Sequence, residues 1–345
     1  MTTISPYISF VVTSRNDDHG CDLLRRMQLF VDSLIDQCKR NNLQSEIVLV
    51  EWNPPSDRPR LSEALVWPTD PTPCDVRIIE VPAEIHRCYN HSDKLPLFQM
   101  IAKNVGIQRA QGQFILATNI DILFSDELIE FLAEKLLKKG KMYRVDRYDV
   151  PSTVPNDMPF GALQIWCQNN TVRLNRNRET IVFNKGIALT PKKKKASILK
   201  KMLNAFFQTE LPLHTNACGD FTLMAKDDWM AVRGYAEFEM FSFKIDGLLC
   251  CAAHYAGAKE ILLEDPMRIY HIEHSPGSGW TPDRGAELMK ERITKAGIPQ
   301  LSSDQYQTFI KQMQREKKAI VFNKDEDWGL ANETLNETII KGKQC

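Results

Sequence analysis

The 345-residue chain lacks a surplus of either charge: 44 basic residues balance 44 acidic ones, so its formal net charge is zero. No global field draws in a nucleic acid or an anionic membrane, and binding to any polyanion has to be local. No apolar stretch approaches the roughly 20 residues that span a bilayer, which leaves peripheral contact as the only expected form of membrane association. No Cys-x-x-Cys pair occurs among the nine cysteines, an odd number, and Met1 to Pro6 leads into a short strand-like run rather than a secretory h-region. The expected compartment is reducing and cytoplasmic. There is no internal repeat, and at 43% hydrophobic and 26% charged residues the composition is that of a folded domain, not of a disordered or disulfide-framed chain.

What is present alternates between two periodicities. Ile8 to Thr13 is a β-branched run that stops at the polar cluster Ser14 to Asp18, as a buried parallel strand does when it enters a loop. From Leu23 to Cys38, apolar residues recur at three- and four-residue intervals and predict an amphipathic helix. Glu46 to Trp52 is the next strand, which completes a βαβ unit with an expected right-handed crossover. The proline-rich stretch from Pro54 to Pro73 reads as a surface excursion. A strand at Val76 to Val81, a helix from about Leu97 to Ala110 and a strand at Gln113 to Thr118 follow. Ser125 predicts the N-cap of a helix running to Leu137, and Lys141 to Val145 a further strand. From Val150 to Leu213 no periodicity is legible. Beyond it come a strand at Phe221 to Ala225, helices at Asp227 to Val232 and Asp246 to Tyr255, and a strand at Lys259 to Leu263. Two polar-faced helices, Arg284 to Ala296 and Ser303 to Lys317, precede a tail expected to fray after Asn323.

Three constellations carry chemistry. Asn119-Ile120-Asp121 directly follows a buried strand, where a carboxylate-bearing turn can hold a hard divalent cation bridging to diphosphate oxygens; the same residues would also serve as simple turn caps. His271 and His274, three residues apart, can reach one metal, and the Gly277-Ser278-Gly279 stretch before Trp280 would suit a mobile lid, although paired histidines are also common on polar surfaces. Asp246 follows the aromatic run Phe238, Phe241 and Phe243, a setting that suits a general base, while the commoner role of an Asp at a helix start is an N-cap. Elsewhere, Cys74, His86, Cys88 and His91 fit no zinc spacing, and Lys192 to Lys195 reads as a solvated loop in preference to an anion contact.

In order along the chain, SFVVTSRND (Ser9 to Asp17), Ile47 to Trp52, KNVG (Lys103 to Gly106), GQFILATNID (Gly112 to Asp121) and GDFTLMAKDDWMAVRG (Gly219 to Gly234) resemble successive motifs of GT-A glycosyltransferases, of the family 2 type and the β-1,4-galactosyltransferases. The resemblance covers roughly residues 6 to 280. It implies an α/β fold of GT-A type, a Rossmann-like, mostly parallel central sheet flanked by helices, with a helical C-terminal extension. Residues 1–118 would form the nucleotide half, 119–280 the metal and acceptor half, and 281–345 the extension. The implied reaction is inverting transfer of a sugar from a nucleotide-diphosphate donor, UDP by resemblance, to a hydroxyl of a glycan, with Mn2+ or Mg2+ as cofactor and no nucleic acid partner.

Residue by residue, the resemblance makes Asp121 the metal-binding acid of an Asp-x-Asp turn. It places Arg15 and Glu51 at nucleoside contacts, with Lys103 and Asn119 also on the donor side. Asp246, eleven residues before Gly257, becomes the catalytic base, and His274 then His271 become metal ligands in a segment similar to Met-x-x-His-Ser. Two positions depart from the pattern: Asn119 replaces the first acid of the turn, and Ile245 stands where the family has Glu. A nucleotidyltransferase would use a similar sheet but needs a Gly-rich basic loop after the first strand, and Thr13 to Gly20 holds one glycine and one arginine. A scaffold that kept the fold and lost the chemistry is the other rival.

Overall fold

The computed structural model describes residues 5–177, 179–184, 187–189, 212–274 and 287–340. The proposed lid around Trp280 and the lysine run at 192–195 lie outside them. Strands β1 (Ile8–Ser14), β2 (Ser45–Trp52), β3 (Cys74–Val81) and β4 (Phe114–Thr118) form a parallel block in the order β3-β2-β1-β4. Every residue of β1, β2 and β4 is buried, and each strand centres on an uninterrupted apolar stretch, residues 10–12, 47–50 and 114–117. Helix α1 (Leu23–Arg40) covers the face carrying Phe10, Val12 and Leu49. After two single-turn helices, α2 (Leu61–Ala64) and α3 (Ala83–His86), helix α4 (Gln99–Arg109) covers the opposite face, which carries Val11, Val48 and Val50. A Cβ at Gly106 would lie 2.5 Å from a Val11 methyl, so glycine here sets how closely α4 approaches the sheet. Asn104 of the same KNVG segment bonds both the N–H and the C=O of Tyr235, the residue that follows the Gly219 to Gly234 motif, and so ties the two segments together in space.

The chain thus has the helix-flanked α/β architecture expected from the resemblance. The parallel block is its centre, and antiparallel strands extend it on both sides. β5 (Ile122–Phe124) and α5 (Asp126–Ala133) lead to β6 (Lys141–Val150). α6 (Phe160–Asn169), β7 (Arg173–Arg176), β8 (Glu179–Asn184) and β9 (Ile187–Leu189) then build the far edge. A 3-10 turn at Cys218–Asp220 enters β10 (Phe221–Ala225), which runs antiparallel between β4 and β6. Helices α7 (Lys226–Val232) and α8 (Ile245–Tyr255) pack behind it, and β11 (Lys259–Ile272) runs parallel to β6. Helices α9 (Glu287–Lys295) and α10 (Ser303–Glu316) follow, with α10 resting on α8.

Four expectations need correction. The helix capped by Ser125 ends at Ala133 instead of Leu137, because Lys135 adopts a left-handed φ of 57° that stops the helical path. Among its described residues, the illegible region beyond Val150 holds a helix and three strands, hidden because their apolar runs are short and polar side chains interrupt them. β11 continues past Leu263 to Ile272 after a register shift between Leu263 and Arg268, an irregularity that breaks the two-residue alternation. Up to Ile340 the tail is held in the sheet: β12 (Asn336–Ile340) pairs antiparallel with β3, fixed by Arg77, which bonds Glu337 and Glu46. That partner lies 260 residues upstream, beyond any local signal.

Candidate active site

A cavity of about 800 Å3 opens at the C-terminal ends of β1 and β4, where two parallel strands meet an antiparallel one and the chain must leave the sheet. Asp121 lies in the turn between β4 and β5. β11 runs between β5 and β6, so its register places His271 opposite Ile122 on one side and Asp149 on the other. His274 follows just beyond the strand. Nε2 of His274 is 3.3 Å and Nε2 of His271 3.7 Å from the same Asp121 oxygen. One ligand atom from each of the three residues falls within 4.8 Å of the others.

The imidazole of His271 is oriented from behind. Its Nδ1 lies 3.0 Å from Asp149, and donation to that carboxylate leaves the Nε2 lone pair facing Asp121. Asp149 is fully buried and is held by Arg147, Arg173 and Asn175. Burial alone would raise the Asp121 carboxyl, but His271, His274 and Arg26 outweigh it and hold the group far below the usual carboxylate range. For His271, burial and Arg147 push the pKa down, and Asp121 with Asp149 reverses this to a net rise. One carboxylate and two imidazoles suit a divalent transition metal such as Mn2+, and the carboxylate behind His271 is the support such ligands commonly have. The loop after β1 closes one side: Arg26 donates to the carbonyls of His19, Gly20 and Cys21, and Gly20, at φ +74°, lies so close that a Cβ would stand 2.7 Å from His274 Nδ1.

The remaining expected residues separate into two groups. Arg15 lines the cavity, its guanidinium fixed by the Asn53 carbonyl at 3.0 Å and by Asp17 at 3.1 Å. Asn119, Asp121, His271, His274 and Asp246 line it as well. Glu51 and Lys103 lie behind its wall. Glu51 is buried at the end of β2 and accepts the Leu61 N–H at 3.0 Å; burial lifts its pKa to about 7. Lys103, also fully buried, donates to the Gly219 carbonyl at 2.7 Å; burial lowers its pKa to about 8 against the opposing pull of Asp220, Asp246 and Asp121.

Asp246 is the second residue of α8, not its N-cap, which is Lys244. One carboxylate oxygen accepts Gly219 N–H at 2.9 Å and the other Gly247 N–H at 2.8 Å. Ile245, at the place of the family's Glu, is buried in the apolar core. The cysteine and histidine group around His86 gathers no metal site: His86 accepts the Trp52 indole N–H at 2.9 Å.

Sequence reasoning missed Arg147, Asp149, Arg173 and Asp220. A signal was available for the first two: β6 continues through Arg144, Asp146, Arg147 and Asp149, and charges that alternate along a strand entering a sheet centre mark a polar cluster. They ended the strand reading at Val145 instead.

No family model and no curated protein matches the sequence. Among solved structures, the chain is similar to GalNAc-T7 crystallised with UDP, GalNAc and Mn2+, with a TM-score of 0.46 at 13% identity over 95% of this chain and 54% of that one. It is also similar to S. aureus TarS 1-349, with a TM-score of 0.42 at 13% identity over 77% of this chain and 60% of that one. The UDP complex of the same TarS fragment gives a TM-score of 0.40 at 11% identity, with equal coverage. The chain therefore spans between about half and three fifths of the length of these structures.

Proposed function

We propose that this protein is a metal-dependent glycosyltransferase that moves a hexosyl group from a nucleotide-diphosphate sugar, UDP by family resemblance, to a hydroxyl of a glycan acceptor, with inversion. The observation that carries the proposal is the convergence of Asp121, His271 and His274 at one corner of a large cavity at the strand ends. These three residues would hold a Mn2+ ion in preference to the harder Mg2+, and its charge would stabilise a departing diphosphate. Arg15, at the end of β1, would meet the nucleotide. Lys103 and Glu51 would act through the backbone they hold, Gly219 for the former and Leu61 for the latter. Asp246 faces the same cavity from α8 and would take the acceptor proton as the hydroxyl attacks; inversion needs one base and no covalent intermediate.

Hydrolysis of a panel of nucleotide sugars, with Mn2+ and with a chelator, tests the reading in the parental protein and in Asp121→Ala. Mn2+-stimulated hydrolysis confined to the parental protein is expected. Identical turnover with and without metal would overturn the metal-dependent transferase, and an absence of turnover with every donor would leave a non-catalytic scaffold.

A further inference from the structure

Position 119 carries an amide where the resembled turn has an acid, and its surroundings dictate that choice. Asn119 Nδ2 donates to Asp220 Oδ1 at 2.5 Å, and Asn119 Oδ1 accepts from Gln99 Nε2 at 3.1 Å. The Gln99 oxygen in turn accepts the Ser242 hydroxyl at 2.9 Å. An ionised carboxylate can only accept, so Asp220 sets the orientation of Asn119, which sets Gln99, which sets Ser242. The other oxygen of Asp220 binds the Arg147 guanidinium, which also pairs with Asp149 behind His271. The Asp220 carbonyl accepts the Thr118 hydroxyl at 2.7 Å, a second tie to the start of the same turn. Asp220 itself is buried and lines the cavity.

We propose that Asn119 and Asp220 form one positioning unit, in which Asp220 carries the negative charge absent from residue 119 and an acid at 220 requires an amide at 119. Only a side chain that both donates and accepts joins Asp220 to Gln99. An aspartate at 119 has no proton for Asp220 and would set two carboxylates against each other. The unit holds the turn from Thr118 to Asp121 so that Asp121 meets the two imidazoles, and in this functional consequence it rests on the metal-site reading above.

The test compares Asn119→Asp, Asp220→Asn and the double exchange, by calorimetric titration with Mn2+ and by thermal melting in a chelator. Asn119→Asp should weaken Mn2+ binding about tenfold or more, although it adds an acid beside the site, as loss of a supporting partner commonly does. The exchange should return affinity to within about threefold of the parent, because the amide then at position 220 can donate to the carboxylate then at position 119 and accept from Arg147. It should also recover the melting temperature that Asn119→Asp loses in chelator. Tighter Mn2+ binding in Asn119→Asp would show that residue 119 itself ligates when acidic and would overturn the unit. A double exchange no better than the single variants in either measurement would overturn it too. If Asn119→Asp does not fold, Asp220→Asn and the double exchange give the same comparison. Should the parent bind no Mn2+, the metal reading fails, while recovery of the melting temperature still reports on the pair.

Discussion

Asp246→Asn separates a base from a structural carboxylate because the two roles differ in size. In the fold the two oxygens of Asp246 take different backbone donors, Gly219 N–H at 2.9 Å and Gly247 N–H at 2.8 Å. Asparagine has one acceptor oxygen, so one of these donors loses its partner and faces an NH2 group instead. That loss costs about 1–3 kcal/mol, and the melting temperature should fall by a few degrees. The substitution would be nearly silent if Asp246 were a simple N-cap, a role in which Asn and Asp are equivalent. A protein with about 5–15 kcal/mol of total stability remains folded at 25 °C after such a loss. A base that cannot accept a proton should lower transfer by about 100-fold or more, equivalent to about 2.7 kcal/mol of barrier. Transfer assayed at 25 °C beside nucleotide binding by calorimetry and a thermal melt gives all three quantities. Parental transfer with a lowered melting temperature would refute the base and leave Asp246 as the carboxylate that ties α8 to the Gly219 turn.

Asp121→Ala should abolish Mn2+-dependent nucleotide binding and His274→Ala should weaken it at least about tenfold, both read by calorimetry; unchanged binding in the Asp121 variant would sink the metal assignment. Asp149→Ala should weaken Mn2+ binding about 10- to 100-fold by removing the acceptor behind the His271 ring, and equal affinity would show that the ring needs no such support. Glu51 gives a pH dependence: its folded pKa of about 7 lies above the ordinary 4.5, so its contribution to stability is complete below about pH 4.5 and is lost as the pH rises through 7. Melts of Glu51→Gln should match the parent near pH 4 and exceed it at pH 8 by at most about 3 kcal/mol, and parallel pH profiles would refute the buried ionisation. Gly106→Ala should cost about 1–3 kcal/mol in chemical denaturation, because its methyl meets Val11; a neutral effect would mean that α4 shifts freely.

The parallel block was legible because each of its strands is a local object. β1, β2 and β4 each centre on a short apolar stretch, residues 10–12, 47–50 and 114–117, and α1 carries the three- and four-residue recurrence of a helix laid on a sheet. Asp121, His271, His274 and Asp246 could be singled out because each sits at the edge of such an element, where a polar residue interrupts a pattern. Their assembly was not legible. Asp149 meets His271 across 122 residues only through the register of β6 with β11, and Asp220 meets Asn119 across 101 residues only because β10 lies beside β4. Glu51 and Lys103 match motif positions yet turn their side chains into the wall, because what a strand end or a helix face presents depends on the segment that packs over it. Local periodicity determined the strands, the helices and the polar breaks between them. Strand order and register, which arise from burying one helix-covered face against another, decided which of those breaks share a cavity and which carboxylate stands behind each ligand.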